Sequence, residues 1–246
     1  MIQQTNKVGL ARALSKLGHC SRSRAVELIR AGKVRANGTI RRDPETPVRV
    51  GKDRIEVDGQ AVATAKKIYL VMNKPRGIVT TASDEKGRDT VYSLLGAELP
   101  WVAPVGRLDK ASEGLLLLTN DSEWGALITA PETHLDKTYH VQIDRIADEV
   151  LLETMRRGVR VKDGATLGVK SASLLRSGEK NSWVEIVLDE GKNRQIRRML
   201  EALGVEVLRL IRVQIGPLRL GELAKGAVRA LTVAEKVEID KAMRRQ

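Results

Sequence analysis

The chain has 246 residues and carries 43 Lys and Arg against 31 Asp and Glu, a net charge of +12. Hydrophobic residues make up 42% and charged residues 30%, a globular composition, and the length suffices to bury a core without disulfides or a structural metal. One cysteine, Cys20, excludes an intrachain disulfide framework and a cysteine-rich zinc site. The histidines (His19, His134, His140) form no His-x-x-x-His pair. The longest aliphatic run near the middle, Leu115 to Leu118, is far too short to span a membrane, and the N-terminus shows no signal-peptide core. These features read as a soluble cytoplasmic protein. The aromatic content is 2%, with no Phe, so Leu, Val, Ile and Ala must build the core. The surplus charge suits a polyanionic partner, and it is concentrated: residues 1–60 hold 13 basic and 6 acidic side chains.

In chain order, Leu10, Ala13, Leu14 and Leu17 recur at helical spacing, and Gly18 closes that helix. Ser21 or Ser23 caps a second helix, with Val26, Leu28 and Ile29 as its apolar stripe and an end near Gly32. Asn37-Gly38 lies between short extended runs and reads as a tight hairpin. Arg54 to Val57 is a further strand. Arg22, Arg24, Arg30, Lys33, Arg35, Arg41 and Arg42 are distributed through this helix-helix-hairpin unit. Each alone reads as solvated surface; together, on so small a unit, they favour RNA phosphates. The run SRSRAVELIRAGKVRANG resembles the small RNA-binding module first described in a small-subunit ribosomal protein. On that resemblance the second helix and the following turn face structured RNA. Residues 1–60 are thus expected as an RNA-binding domain, 61–67 as a linker and 68–246 as a larger domain.

In the larger part, Lys67 to Met72 reads as a strand, broken by Asn73-Lys74-Pro75-Arg76-Gly77, and Ile78 to Thr81 resumes extended structure. Thr90 to Leu95 holds a helical turn or two. Val102 to Val105 and Leu115 to Thr119 are strands, and Glu123 to Ile128 a short helix. Thr138 to Ile143 alternates as a strand, and Glu149 to Arg157 is helical up to Gly158. Trp183 to Asp189 alternates as a half-buried strand. Ile196, Met199, Leu200 and Leu203 make the clearest helical stripe, ended by Gly204. Glu206 to Ile215 is a strand region, and Thr232 caps a last helix to about Met243. No Gly-x-Gly-x-x-Gly and no phosphate-binding Walker loop occurs. The expected class is α+β, with a mainly antiparallel or mixed sheet.

Three segments carry candidate chemistry. Gly106 to Gly114 sets four charges between two apolar strands, and a carboxylate on so supported a loop is well placed to act. Arg107 and Lys110 would keep Asp109 ionised, as a nucleophile requires. A pairing of Asp109 with Glu113 as a glycosidase dyad is the weaker reading, because the flanking cations oppose a neutral acid. Around residues 190–199, Lys192, Arg194, Arg197 and Arg198 cluster at the start of the amphipathic helix, where one can reach a carboxylate or a phosphate. In Lys137-Thr138-Tyr139-His140-Val141, Tyr139 is either core filler or a stacking platform.

Together these segments resemble the pseudouridine synthases that act on ribosomal RNA, in the branch with the N-terminal module. GRLDKASEGLLLLTND is similar to that branch's catalytic motif, DKTYHV to its tyrosine segment and EGKNRQIRRMLEALG to its third motif. VMNKPRGIVTT resembles its opening strand and LRLIRVQIGPLRLGELAKGAVRAL its C-terminal segment. The resemblance implies that Asp109 is the catalytic carboxylate, that Tyr139 stacks on the target uracil, and that Arg197 pairs with Asp109. It implies further that Leu200 lines the pocket floor and that Arg107, Lys110, Lys74, Arg194 and Arg198 contact the substrate. Uridine in ribosomal RNA would become pseudouridine with no metal or cofactor, large-subunit RNA being preferred to small-subunit RNA. The expected partner is that RNA, free or in a partly assembled subunit; no membrane is involved and the protein is expected to be a monomer. The competing reading is a non-catalytic RNA-binding or assembly protein, which has no need of an acid inside a basic groove. Ser112 stands where the family commonly has threonine, Asp121 is followed by Ser122-Glu123 where glycine is usual, and ITAPETH replaces LTHP. These departures bear on substrate choice more than on chemistry.

Overall fold

A computed structural model describes residues 7–244 apart from 83, 85 and 97; the N-terminal stretch read for a signal-peptide core thus lies largely outside the described residues. The chain forms two compact units. The first gathers the N-terminal residues through Tyr69 together with Leu95–Ala103 and Leu118–Trp124; the second holds the remainder.

The first unit opens with β1 (Val8–Gly9), α1 (Leu10–Lys16) and α2 (Arg22–Arg30). Ser21, rather than Ser23, caps α2: its Oγ accepts from the Arg24 N–H at 3.1 Å. β2 (Val34–Ala36), β3 (Thr39–Arg41), β4 (Pro47–Val48), β5 (Ile55–Val57) and β6 (Gln60–Ala61) follow. The order β3-β2-β5-β6 makes a small antiparallel sheet, and β1 pairs with β4. Asn37 (φ 52°) and Gly38 (φ 81°) both adopt the left-handed backbone that the two-residue β2–β3 hairpin requires. Leu10, Leu14, Ala25, Ile29, Val34 and Ile55 pack the core between helices and sheet. Residues 61–67, expected as a linker, are tied into this unit: β6 pairs with β5, the Ala65 N–H donates to the Leu17 carbonyl (3.0 Å), and the Asn120 amide donates to the Lys66 carbonyl (2.8 Å).

The remaining elements are β7 (Tyr69–Lys74), β8 (Ala103–Val105), β9 (Glu113–Thr119), α3 (Ser122–Thr129), β10 (Lys137–Ile143) and α4 (Glu149–Arg157). After them come β11 (Val159–Arg160), β12 (Thr166–Leu167), β13 (Ser171–Ser177), β14 (Ser182–Leu188) and α5 (Gln195–Ala202). The chain continues through β15 (Val207–Ile215), β16 (Leu218–Arg219), β17 (Val228–Ala230) and α6 (Val233–Arg244). The main sheet runs β13-β14-β10-β15-β9-β7-β17, with β16 beside β15 and β8 beside β9. β15 pairs with β9 in parallel, while β10 is antiparallel to both β14 and β15. The α+β class with a mixed sheet is the one expected. Ile78–Thr81 departs from expectation, since Val79 makes an isolated bridge to Thr90 and no strand forms there.

Burial follows from these pairings. β9 lies inside the sheet, and Leu115 to Leu118 are fully buried without alternation, as suits a strand covered on both faces. β14 alternates: Val184, Ile186 and Leu188 face a core with Leu152 and Met155 of α4 and Ile196, Met199 and Leu200 of α5, while Trp183, Glu185 and Val187 face away. One glycine is decisive for the site. Gly114 has φ 102°, and a Cβ there would overlap the backbone carbonyl oxygen of Arg212 on β15. Glycine therefore lets β9 and β15 approach directly after the Asp109 loop. Gly114→Ala should lower the unfolding free energy by about 2 kcal/mol or more, read as a fall in urea midpoint at unchanged m-value. An unchanged midpoint would show that the strands tolerate a Cβ.

Candidate active site

Asp109 sits in the loop Leu108–Ser112 that leads into β9. Five consecutive backbone carbonyls of this loop each accept a hydrogen bond from outside it. Thr80 Oγ1 donates to Leu108 (2.8 Å), Lys74 Nζ to Asp109 (3.2 Å) and the Gly77 N–H to Lys110 (2.8 Å). Arg197 Nη2 donates to Ala111 (3.0 Å) and Lys74 Nζ again to Ser112 (2.9 Å). Within the loop, the Ser112 N–H closes a turn onto the Asp109 carbonyl (2.9 Å). With its backbone acceptors satisfied, the loop has little freedom to shift, which holds in place the backbone that carries the Asp109 carboxylate.

The ion pair at Asp109 is made by Arg194: its Nη1 lies 3.3 Å from Asp109 Oδ2. The expectation that Arg197 makes this pair is corrected here. α5 begins at Gln195, so Arg194 is its N-cap, in a left-handed conformation (φ 49°) that costs of order 1 kcal/mol for a residue with a side chain. That conformation sends the guanidinium back toward the loop. Gln195, buried, fastens the turn: its Nε2 donates to the Gly168 carbonyl (2.8 Å) and its Oε1 accepts from the Lys192 N–H (3.2 Å). Arg197, one turn into α5, bonds the Ala111 carbonyl instead, and its buried Nε has no partner. Burial and the neighbouring Arg194 pull the Arg197 guanidinium below its usual range, opposed by Asp109. Asp109 remains about a third exposed (31%), open to a ligand. Tyr139 is half-buried on β10 against the helix-covered core, on the face that α5 occupies.

Other expected site residues fall differently. Lys74 was expected on the substrate; it is fully buried, with its three protons on the carbonyls of Pro75, Asp109 and Ser112. Arg198 turns to Asp163 (2.5 Å). Leu200 is fully buried in the core. Arg107 and Lys110 are exposed beside Asp109, and neither forms an ion pair among the described residues. Glu113 cannot serve a glycosidase dyad. Burial raises its pKa, but Arg209 (both oxygens, 3.0 Å) and Lys225 (3.0 Å) outweigh burial and hold it below the usual carboxylate range. Thr80, Gly77 and Gln195 escaped sequence reasoning: the bonds from Thr80 to Leu108, Gly77 to Lys110 and Gln195 to Gly168 join residues 27 or more positions apart, which no local pattern shows.

Residues 68–202 match the model of a family described as RNA pseudouridylate synthase. The ribosomal large subunit pseudouridine synthase B of Bacillus subtilis (strain 168) is 39% identical over 228 residues, covering 92% of this chain and 93% of that protein. The chain belongs to the RNA pseudouridylate synthase family. An uncharacterised RNA pseudouridine synthase of Rickettsia prowazekii (strain Madrid E) is 40% identical over 219 residues, covering 88% of this chain and 91% of its own. A solved pseudouridylate synthase structure has a TM-score of 0.66 at 30% identity, covering 96% of this chain and 99% of that one. Residues 8–55 match the S4 domain.

In this synthase's S4 domain the seven expected RNA-contacting side chains are all exposed. Three are engaged: Arg24 with Glu27 (2.8 Å), Lys33 with Asp58 (3.6 Å) and Arg42 with the Arg30 carbonyl (3.1 Å). Arg22, Arg30, Arg35 and Arg41 direct their donors to no acceptor among the described residues.

Lys74 yields a prediction for the Asp109 loop. Lys74→Met strips donors from three buried carbonyls and should cost about 3 kcal/mol of stability. Burial pulls the Lys74 amine from 10.5 down to about 8, against Asp109 and Glu113, which favour its charge. Between pH 8 and 10.5 the unfolded chain keeps a proton that the folded chain has released, so this lysine's contribution to stability rises with pH across that window. The stability gap between wild type and Lys74→Met, from urea unfolding, should therefore widen over that range. A constant gap would mean that Nζ titrates as in water.

Proposed function

We propose that this protein isomerises uridine to pseudouridine in large-subunit ribosomal RNA, with Asp109 as the catalytic carboxylate. The observation that carries the reading is the partly exposed Asp109 carboxylate, paired with Arg194 on a loop whose carbonyls are all taken. The printed name of the Bacillus subtilis relative supports the large subunit as the source of the RNA. Ribosomal RNA places the protein in the cytoplasm.

In this reaction the bond from ribose C1′ to uracil N1 breaks, the uracil turns, and C1′ bonds to C5. The C5 proton leaves to solvent and N1 gains a proton, so the atoms balance. The nucleotide leaves its stack to reach the pocket. Asp109 serves the ribose, by adding to C1′ or by taking the C2′ proton. Arg194 pairs with it through its guanidinium. Arg197 acts through the loop, holding the Ala111 carbonyl. Tyr139 stacks on the uracil and assists proton removal at C5, above a floor that Leu200 closes from water. Arg107 and Lys110, exposed beside Asp109, meet the phosphates of the target nucleotide. Residues 1–60, with Arg22, Arg30, Arg35 and Arg41 at the front, grip structured RNA, and residues 68–246 carry out the chemistry.

Release of tritium from C5-tritiated, unmodified ribosomal RNA tests this reading. Wild type should release it from large-subunit RNA, and Asp109→Asn should lose at least about 10³ in rate while binding RNA as tightly. Equal loss of binding and release would favour the non-catalytic alternative. Arg194→Ala should lower the rate and leave the melting temperature nearly unchanged, whereas Arg197→Ala should lower both. The reverse ranking would return the ion pair to Arg197.

A further inference from the structure

The sheet face turned away from α4 and α5 carries a cluster with no part in the chemistry above. Trp183 on β14 lies under two guanidiniums, with Arg176 Cζ at 5.3 Å and Arg209 Cζ at 5.5 Å from the ring centroid. The three belong to one row across four strands: Arg176 is opposite Trp183, Trp183 opposite Gln142, and Gln142 opposite Arg209. Both outer pairings have a register shift at this row. On β13 the shift lies between Leu174 and Arg176, so an arginine rather than Leu175 stands across from Trp183. On β15 the pairing slips just beyond Arg209, between Gln142 and Ile143. Bulges of this kind re-aim side chains and are common beside functional sites.

The two arginines differ in what they still offer. Arg209 is committed, with its donors on both oxygens of Glu113. Arg176 is exposed, and no described residue accepts a hydrogen bond from it. Its guanidinium is held over the indole, so much of its rotamer freedom is already lost, yet its donors point to solvent. Lys180, exposed in the turn between β13 and β14, and Lys225, 63% exposed, add positive charge to this face. Of the acids here, Glu113 is neutralised by Arg209 and Lys225, Glu185 faces His140 at 3.4 Å, and Glu179 shares the turn with Lys180. A pre-oriented guanidinium with free donors is a binder of phosphate oxygens. We propose that Arg176, braced by Trp183 and assisted by Lys180, is a second RNA contact that takes a backbone phosphate of the substrate on the sheet face away from Asp109. The assignment rests on the reading of the substrate as RNA, and it adds a contact beyond the S4 domain and the Asp109 loop.

The test compares full-length wild type, Arg176→Glu and Arg176→Lys. The probe is an unmodified large-subunit RNA transcript, titrated over a range of KCl concentrations, with tritium release followed at saturating protein. Arg176→Glu should weaken binding about fivefold or more at low salt and reduce the slope of log K against log salt by about one, while Arg176→Lys keeps the slope. The rate at saturation and the melting temperature should match wild type for both variants. Unchanged affinity and slope in Arg176→Glu would overturn the proposal, as would a loss confined to the saturated rate. Failure of wild type to release tritium would count against the activity and not against this contact, because the salt slope is read from binding alone.

Discussion

The site depends on the satisfaction of five backbone carbonyls in a row. A loop that enters a buried strand must pair its polar groups or lose several kcal/mol. Here the donors are long-range: a buried ammonium from β7, a threonine hydroxyl, a glycine N–H and a guanidinium from α5. Lys74 contributes most, because one Nζ reaches two of the five carbonyls as well as that of Pro75. Its positive charge is drawn to Asp109 and Glu113, which offsets part of the desolvation that lowers its pKa. The carbonyls therefore fix the loop, and the loop fixes the carboxylate.

That anchoring separates two roles that sequence alone merges. Arg194 and Arg197 both approach the loop from the start of α5, one turn apart. The left-handed Arg194 reaches the Asp109 carboxylate. Arg197 reaches the backbone, where its bond holds the geometry. On the opposite side of the strand, Glu113 is sealed by Arg209 and Lys225. Two carboxylates four residues apart thus have different environments, one partly open with a single cation and one buried between two. The difference follows from strand geometry: Gly114 brings β9 against β15, which carries Arg209 to Glu113.

Positive charge is also deployed in two ways. In the S4 domain four arginines direct their donors to no acceptor among the described residues, an arrangement suited to backbone phosphates of varied sequence. Around the Asp109 loop Lys74 and Arg197 spend donors on backbone carbonyls, while Arg107 and Lys110, exposed, flank Asp109 in sequence.

Much of this was legible in the sequence. The α2 cap and the Asn37-Gly38 hairpin are local signals read within a few residues, where capping and positive φ leave few alternatives. The stripe on α5 and the alternation on β14 report burial directly, because a period of 3.6 or 2 places apolar groups on one face. The charged loop between two apolar strands marked Asp109 as the residue to follow. Which arginine meets that aspartate was not legible, since the answer turns on the backbone angle of Arg194 at the helix start. The burial of Lys74, the sealing of Glu113 and the two bulges beneath Trp183 were equally out of reach. Each depends on strands brought together from distant parts of the chain, and a local pattern carries no record of the partner. The sequence by itself determined most of the elements, the charge and the family motifs around Asp109; the tertiary structure decided which cations hold the loop, which one pairs with Asp109 and which stay exposed, because those choices are made by long-range hydrogen bonds.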